Sequence, residues 1–287
     1  MPLKNFPKSS FLLVAALAGC VTLSDSRIAQ DESGAVAGIK SDCTTAAVPS
    51  SFATAPKEPL DPKSLRLLSW NIYKESRDGW MGDFRALTAN ADVVALQEAA
   101  LEPRLEQLLR ERGYAWNIST AFMKDKTPIG VLTAGAAAPT HDCSISALEP
   151  LLQIPKQIMI SRYGIAGRSD TLLVANVHSV NFTLGTRHFR AQLDGLRAIL
   201  ASHAGPIIVT GDFNTWNKRR QILVDDFAQQ LNLETVRFAD DRRSRFLGQT
   251  VDHVFYRGLT ARGAATHPVV SSDHNPLTVD FSIDPPL

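Results

Sequence analysis

Asn71, Glu98, His178, Asp212, Asn214, Asp252, Asp273 and His274 all fall where short apolar runs end, and their side-chain types suit chemistry at phosphorus. Carboxylates and carboxamides are hard oxygen donors for Mg²⁺ or Mn²⁺, which keep several waters and bind through one or two carboxylates plus a substrate phosphate. Zinc would call for more sulfur and nitrogen. In-line displacement at a phosphate needs a cation on the equatorial oxygens, a base within reach of water and an acid for the leaving group. Taken singly, the same residues have plain structural uses, because Asn71 and the segments Asp212–Asn214 and Asp273–Pro276 also suit turns.

The elements that must position them are legible as short runs rich in Leu, Val, Ile and aromatics. Leu65 to Trp70, Val93 to Leu96, Leu172 to Val177, Ile207 to Val209, Val251 to Tyr256 and Leu277 to Phe281 read as buried strands. Helical patterns interleave. One runs from Thr186 to about His203, with Phe189, Leu193, Leu196 and Leu200 on one face and Gly205-Pro206 ending it. Another lies between Pro103 and Arg112, striped by Leu105, Leu108 and Leu109 and stopped by Gly113. The class is α/β, with more strands than one sheet comfortably holds. Asn71, Glu98, His178, Asp212 and Asn214 then follow strands, Asp252 opens one, and Asp273-His274 precedes the last. Strand ends are where α/β folds gather their sites.

In that order, Ser69-Trp70-Asn71, Leu96-Gln97-Glu98, Asn176-Val177-His178, Gly211-Asp212-Phe213-Asn214, Val251-Asp252-His253 and Ser272-Asp273-His274-Asn275-Pro276 resemble the endonuclease/exonuclease/phosphatase superfamily, the DNase I-like fold. The longer strings Trp70-Asn71-Ile72-Tyr73-Lys74, Val180-Asn181-Phe182 and Val254 to Leu259 look like its YafD-like bacterial branch. The resemblance covers about Ser64 onward and implies a four-layer α/β/β/α sandwich of two packed mixed sheets, with the site at one end. It implies Glu98 as principal metal ligand, helped by Asn71 and Asp273, with Mg²⁺ or Mn²⁺ as cofactor. Asp212 and Asn214 would position and deprotonate the attacking water. His274, oriented by Asp252, would stabilise charge on the phosphate, and His178 would contact the scissile phosphate or protonate the leaving oxygen. Lys156 stands where relatives often carry a basic residue facing substrate phosphate; a solvated surface lysine is the other reading. A carboxylate beside His274 would raise its proton affinity, which predicts activity that falls on the alkaline side.

The first residues read as an address. Lys4 and Lys8 precede an apolar run from Phe11 to Ala18, which ends in Leu17-Ala18-Gly19-Cys20. This is a signal-peptide pattern over 1–19, and it resembles the lipobox of bacterial lipoproteins, in which the cysteine, here Cys20, is acylated. The polar residues of 20–63 read as a flexible tether and 64–287 as the catalytic domain. Export with a lipid anchor in the cell envelope is expected, with the periplasmic side of the outer membrane favoured because Val21 follows the cysteine. An oxidising compartment would let Cys43 and Cys143 pair; two unrelated thiols are the alternative.

The 287 residues are 44% hydrophobic and 21% charged, which excludes a disordered chain. A net charge of +1 argues against a protein held on nucleic acid by bulk charge alone, so a polyanion would be gripped locally. Lys218, Arg219 and Arg220, with Arg242, Arg243 and Arg245, form two clusters that suit a phosphate-tracking rim, but interspersed aspartates suit a solvated face equally well. Trp216 suits either stacking on a base or closing the core. His253 should face away from Asp252 and pack. The expected activity is divalent-metal-dependent phosphodiester hydrolysis, with nucleic acid the favoured substrate, a phospholipid or sphingomyelin-type diester the second reading, and a non-catalytic envelope lipoprotein the third.

Overall fold

The computed structural model describes residues 58–183 and 185–285, together with the backbone of three short strands before them. Those are β1 (Val21–Leu23), β2 (Arg27–Gln30) and β3 (Val36–Ile39). One sheet continues with β4 (Leu65–Asn71), β5 (Val93–Ala100), β6 (Ala115–Lys124) and β7 (Thr127–Gly135). The other is built from β8 (His141–Leu148), β9 (Pro155–Gly164), β10 (Thr171–His178), β11 (Ile207–Asp212), β12 (Glu234–Thr235) and β15 (Asp252–Arg257). A small hairpin, β13 (Arg245–Phe246) and β14 (Gln249–Thr250), stands apart, and β16 (Leu259–Thr266) and β17 (Leu277–Ile283) return to the first sheet.

The first sheet runs β16-β17-β4-β5-β7-β6-β2-β3, with β1 also on β6; the second runs β12-β15-β11-β10-β9-β8. β4 pairs parallel with β5, and β10 with β11. Parallel neighbours need a crossover, supplied by α1 (Trp80–Leu87) in the first sheet and α3 (Arg187–Ala201) in the second. Alternation along each strand then sorts the layers. Leu67, Val93, Val174, Ile208 and Val279 pack between the sheets. Leu68, Val94 and Leu96 face α1 and α2 (Pro103–Glu111), which bury Phe84, Leu105 and Leu109. Leu173 and Val209 face α3 and α4 (Lys218–Gln230), which bury Phe189, Leu196 and Phe227. Helices outside two packed mixed sheets give the α/β/β/α sandwich.

Both expected helices form, and all six expected strand runs lie within or overlap strands. Lys156 enters β9, in line with a strand leading to Ser161; the runs not anticipated are β6 to β8, β12 to β14 and β16, whose faces are partly polar. Some of these polar groups pair inside the sandwich: Asn117 Nδ2 donates to Asp142 at 2.9 Å, and Ser119 Oγ to Gln157 of β9 at 3.1 Å. Within the span expected to be a tether, β1 and β2 pair antiparallel with β6 and so cover an edge of unpaired N–H and C=O groups. Packing also starts before Ser64, because Leu60 is buried and Ile283 N donates to Pro62 O at 2.7 Å. The signal-peptide residues 1–19, Cys20 and Cys43 lie outside the described residues. Cys143 is disulfide-bonded.

Candidate active site

Two sheets each bring half of the polar set to one end of the sandwich. β4 ends on buried Asn71, whose Nδ2 donates to Asp212 Oδ2 across the sheets at 3.1 Å. On the neighbouring strand a bulge between Leu96 and Ala99 puts Glu98 at φ 53°, a left-handed conformation that costs a non-glycine residue energy and clusters at functional sites. Three residues beyond Asn71, Tyr73, Lys74 and Glu75 are also left-handed, and Glu75 holds this coil by accepting Ala100 N at 3.0 Å. The coil lays Lys74 Nζ on the Glu98 carboxylate.

The second sheet supplies the rest. His178 closes β10, and its Nε2 lies 2.9 Å from Lys156 Nζ, 3.7 Å from Glu98 and 3.7 Å from Asp212. Asp212 closes β11; its Oδ1 accepts Asn214 N at 2.9 Å, and its Oδ2 lies 3.9 Å from His274 Nε2. Asn214, again left-handed at φ 51°, donates its Nδ2 to Ser179 O at 3.0 Å. His274 Nδ1 donates to both oxygens of Asp252, at 2.8 and 3.0 Å. Its loop is pinned to β4, with Trp70 Nε1 donating to His274 O at 3.0 Å and Ser272 Oγ to Asn71 O at 2.7 Å.

Lys74, Glu98, His178, Asp212, His274 and Asp252 therefore form one cluster in which each polar group lies within 4 Å of the next, with Lys156, Asn71 and Asn214 attached. The exception is Asp273, whose exposed side chain is not among the site's mutual contacts and acts on His274 only by its charge. Lys74 was not singled out from sequence; its one signal was a position three residues after Asn71. Gln97 and Asn176, buried and joined across the sheets at 2.6 Å, were likewise read only as motif letters.

Electrostatics separate the roles. Burial works to raise the Glu98 pKa, but the ammonium groups of Lys74 and Lys156 outweigh it and hold the carboxylate at about 2. Burial and Lys156 push His178 well below the usual imidazole value, so it is neutral and its Nε2 accepts from the ammonium. Burial and Asp252 lift Asp212 to about 6 against the pull of His274. For His274 burial favours the neutral ring, yet Asp252 and Asp212 prevail and raise it to about 10.

Gly211 secures the placement of Asp212. Its φ is +133°, and a Cβ there would sit 2.1 Å from Val177 O in the adjacent strand. Gly211→Ala is expected to cost about 2–4 kcal/mol in urea unfolding and to lower activity by displacing Asp212; an unchanged midpoint would refute this.

The donor set fits a hard divalent cation. Ligand atoms of Asp212, Asp252 and His274 lie within 4.8 Å of one another, but an imidazolium bonded to a carboxylate has no lone pair to give. Glu98, deprotonated and compensated by ammonium groups that a cation can replace, is the better anchor.

Residues 68–274 match the model of the Endonuclease/Exonuclease/phosphatase family. The chain belongs to that family. It is 38% identical over 221 residues to a UPF0294 protein of Vibrio campbellii, covering 77% of this chain and 78% of that one. Among solved structures, the human Nocturnin catalytic domain with bound sulfate anion is similar at TM-score 0.62 and 20% identity, over 79% of this chain and 97% of that one. A mannosyl-6-phosphatase of Bacteroides thetaiotaomicron is similar at TM-score 0.55 and 16% identity, over 76% and 99%. These likenesses establish the DNase I-like fold of this endonuclease/exonuclease/phosphatase member. Phosphoric ester hydrolysis is the chemistry of its family.

Proposed function

We propose that the protein is a divalent-metal-dependent phosphodiesterase of the YafD-like branch, exported and anchored in the cell envelope through an acylated Cys20. The observation that carries the reaction is the continuous Glu98–His178–Asp212–His274–Asp252 constellation, in which acid, base and metal carboxylate have different proton affinities. When bound at Glu98, Mg²⁺ or Mn²⁺ neutralises phosphate oxygens and acidifies water. Asp212 takes the proton of the attacking water, with Asn71 and Asn214 fixing its two oxygens. His274, positively charged, donates from Nε2 to the phosphate as charge develops. Lys156, whose ammonium donates to His178 Nε2 at 2.9 Å, gives a proton to the departing oxygen as its P–O bond breaks. With Nε2 accepting from Lys156, His178 is assigned to hold that ammonium, an alternative to the two roles that the family resemblance implied, contact with the scissile phosphate or protonation of the leaving oxygen.

The expected nucleic-acid substrate loses part of its support at the rim. Arg242 pairs with Asp240, Arg243 and Arg245 pair with Asp241, and Arg220 is buried. Trp216 lies against Arg220 and donates to Asn181 Oδ1 at 2.9 Å. His253 is packed, stacked on Phe255 and bonded to Thr215. Exposed apolar residues at the catalytic end favour the lipid diester instead.

Glu98→Gln is expected to weaken Mn²⁺ binding, measured by calorimetry, by at least about 100-fold without unfolding the protein. Unchanged affinity, with loss on Asp252→Asn instead, would move the cation to the other acidic cluster. A panel of plasmid DNA, RNA, phospholipid and a small soluble diester tests the substrate class.

A further inference from the structure

Eight large apolar side chains are exposed among the described residues; five of them, Leu151, Leu152, Phe182, Leu247 and Val270, sit on loops next to active-site residues in sequence, and Leu148 and Phe246 end the strands β8 and β13. Leu151 and Leu152 lie in the turn between β8 and β9, just before Lys156. Phe182 follows His178. Phe246 ends β13 and Leu247, 73% exposed, opens its turn to β14 before Asp252, and Val270, 87% exposed, precedes His274. The eighth, Ile222, is on α4.

These segments are tied in two pairs. Glu149 accepts Asn181 N at 2.7 Å and also Phe182 N, so the β8–β9 turn and Phe182 are side by side. Ser244 Oγ donates to Asp273 O at 3.1 Å and accepts Asn275 N at 2.8 Å, joining the hairpin to the His274 loop. Single exposed apolar residues are ordinary, but their concentration around one polar centre is not. Here they are spread over four segments. A protein partner would bury one contiguous anchor patch, whereas a bilayer surface accepts isolated side chains one at a time. Beside them, Lys74 and Lys156 supply cations for a single phosphate, while Arg242, Arg243 and Arg245 are paired with aspartates and Arg220 is buried, leaving Lys218 and Arg219 as the exposed cations of the rim. Among the described residues no helix is long and apolar enough to cross a membrane, so this contact is peripheral.

We infer that the catalytic end docks on a phospholipid bilayer, inserting the ring of apolar loop tips so that a lipid headgroup phosphodiester enters the site. The substrate half of this inference rests on the phosphodiesterase reading, whereas the docking half does not.

Sedimentation with vesicles of phosphatidylethanolamine and phosphatidylglycerol tests it on the full chain carrying Cys20→Ser, so that no acyl group contributes. The comparison protein adds Leu151→Ser, Phe182→Ser, Leu247→Ser and Val270→Ser, one change per loop. Partition into vesicles is expected to fall at least about tenfold with an unchanged thermal unfolding midpoint. Equal partition of the two proteins, or binding to plasmid DNA without binding to vesicles, overturns docking. If vesicles bind in the expected manner but neither a soluble diester nor the vesicle lipid is cleaved with Mn²⁺ present, the docking stands and the phosphodiesterase reading falls.

Discussion

His274→Asn is expected to lower kcat/KM for a soluble phosphodiester by about 10²–10³-fold, the usual cost of deleting one preorganised donor to developing charge. The pH profile makes the expectation specific. Asp212 must be ionised to take a proton, and its carboxyl is lifted to about 6, so the rate rises through that pH. His274 must be charged, and its imidazolium persists to about 10, so a plateau extends through neutrality and the rate falls near pH 10. The same raised proton affinity stabilises the fold: the contribution is complete below the ordinary imidazole pKa and disappears as pH rises through about 10. Asp252→Asn removes the main charge holding that proton and should move the alkaline limb toward neutrality. A limb that stays in place would mean that His274 does not carry the titrating proton.

The second large effect concerns stability. Arg220 is 1% exposed and meets no carboxylate; it donates to Val180 O at 2.7 Å, Asn181 O at 2.6 Å, Asn214 O at 3.0 Å and Thr183 Oγ1 at 2.9 Å. Its guanidinium also packs 4.7 Å from the Phe189 ring. Five donors in a rigid fork are what let one side chain span the loop after His178 and the loop after Asp212. Arg220→Leu leaves three buried carbonyls without their donor and is expected to destabilise the protein by about 3–5 kcal/mol in urea unfolding. Arg220→Lys keeps the charge but not the fork, so it should recover only part of this. Full recovery by lysine would show that charge, not geometry, holds the loops.

Arg220 also shows where sequence reading reaches its limit. Beside Lys218 and Arg219 it looks like one of three surface cations, since nothing in the order of residues says that the third turns inward; only the Asn217 cap, which accepts Arg220 N at 3.0 Å, sets the helix phase that does so. The apolar strands were readable because residues buried on both faces leave uninterrupted hydrophobic runs. β6 was not, because its Ser119 is paired with Gln157 across the sandwich, and such compensation is visible only in three dimensions. In the site, Glu98, Asp212 and His274 were legible as motif residues at strand ends. Lys74 was hidden because its approach to Glu98 depends on three consecutive left-handed residues, a backbone path that residue type does not announce.

The division of the centre between two sheets has a bearing on when the molecule becomes competent. Asn71 meets Asp212 across 141 positions of sequence, and its carbonyl meets Ser272 across 201. Contacts of such separation are slow to form because large loops must close first. A polypeptide growing from its N-terminus holds no working centre until residue 274 has emerged and the halves have met. Nascent or unfolded copies are consequently inert toward any phosphate ester they encounter, and hydrolysis begins only with the completed tertiary structure.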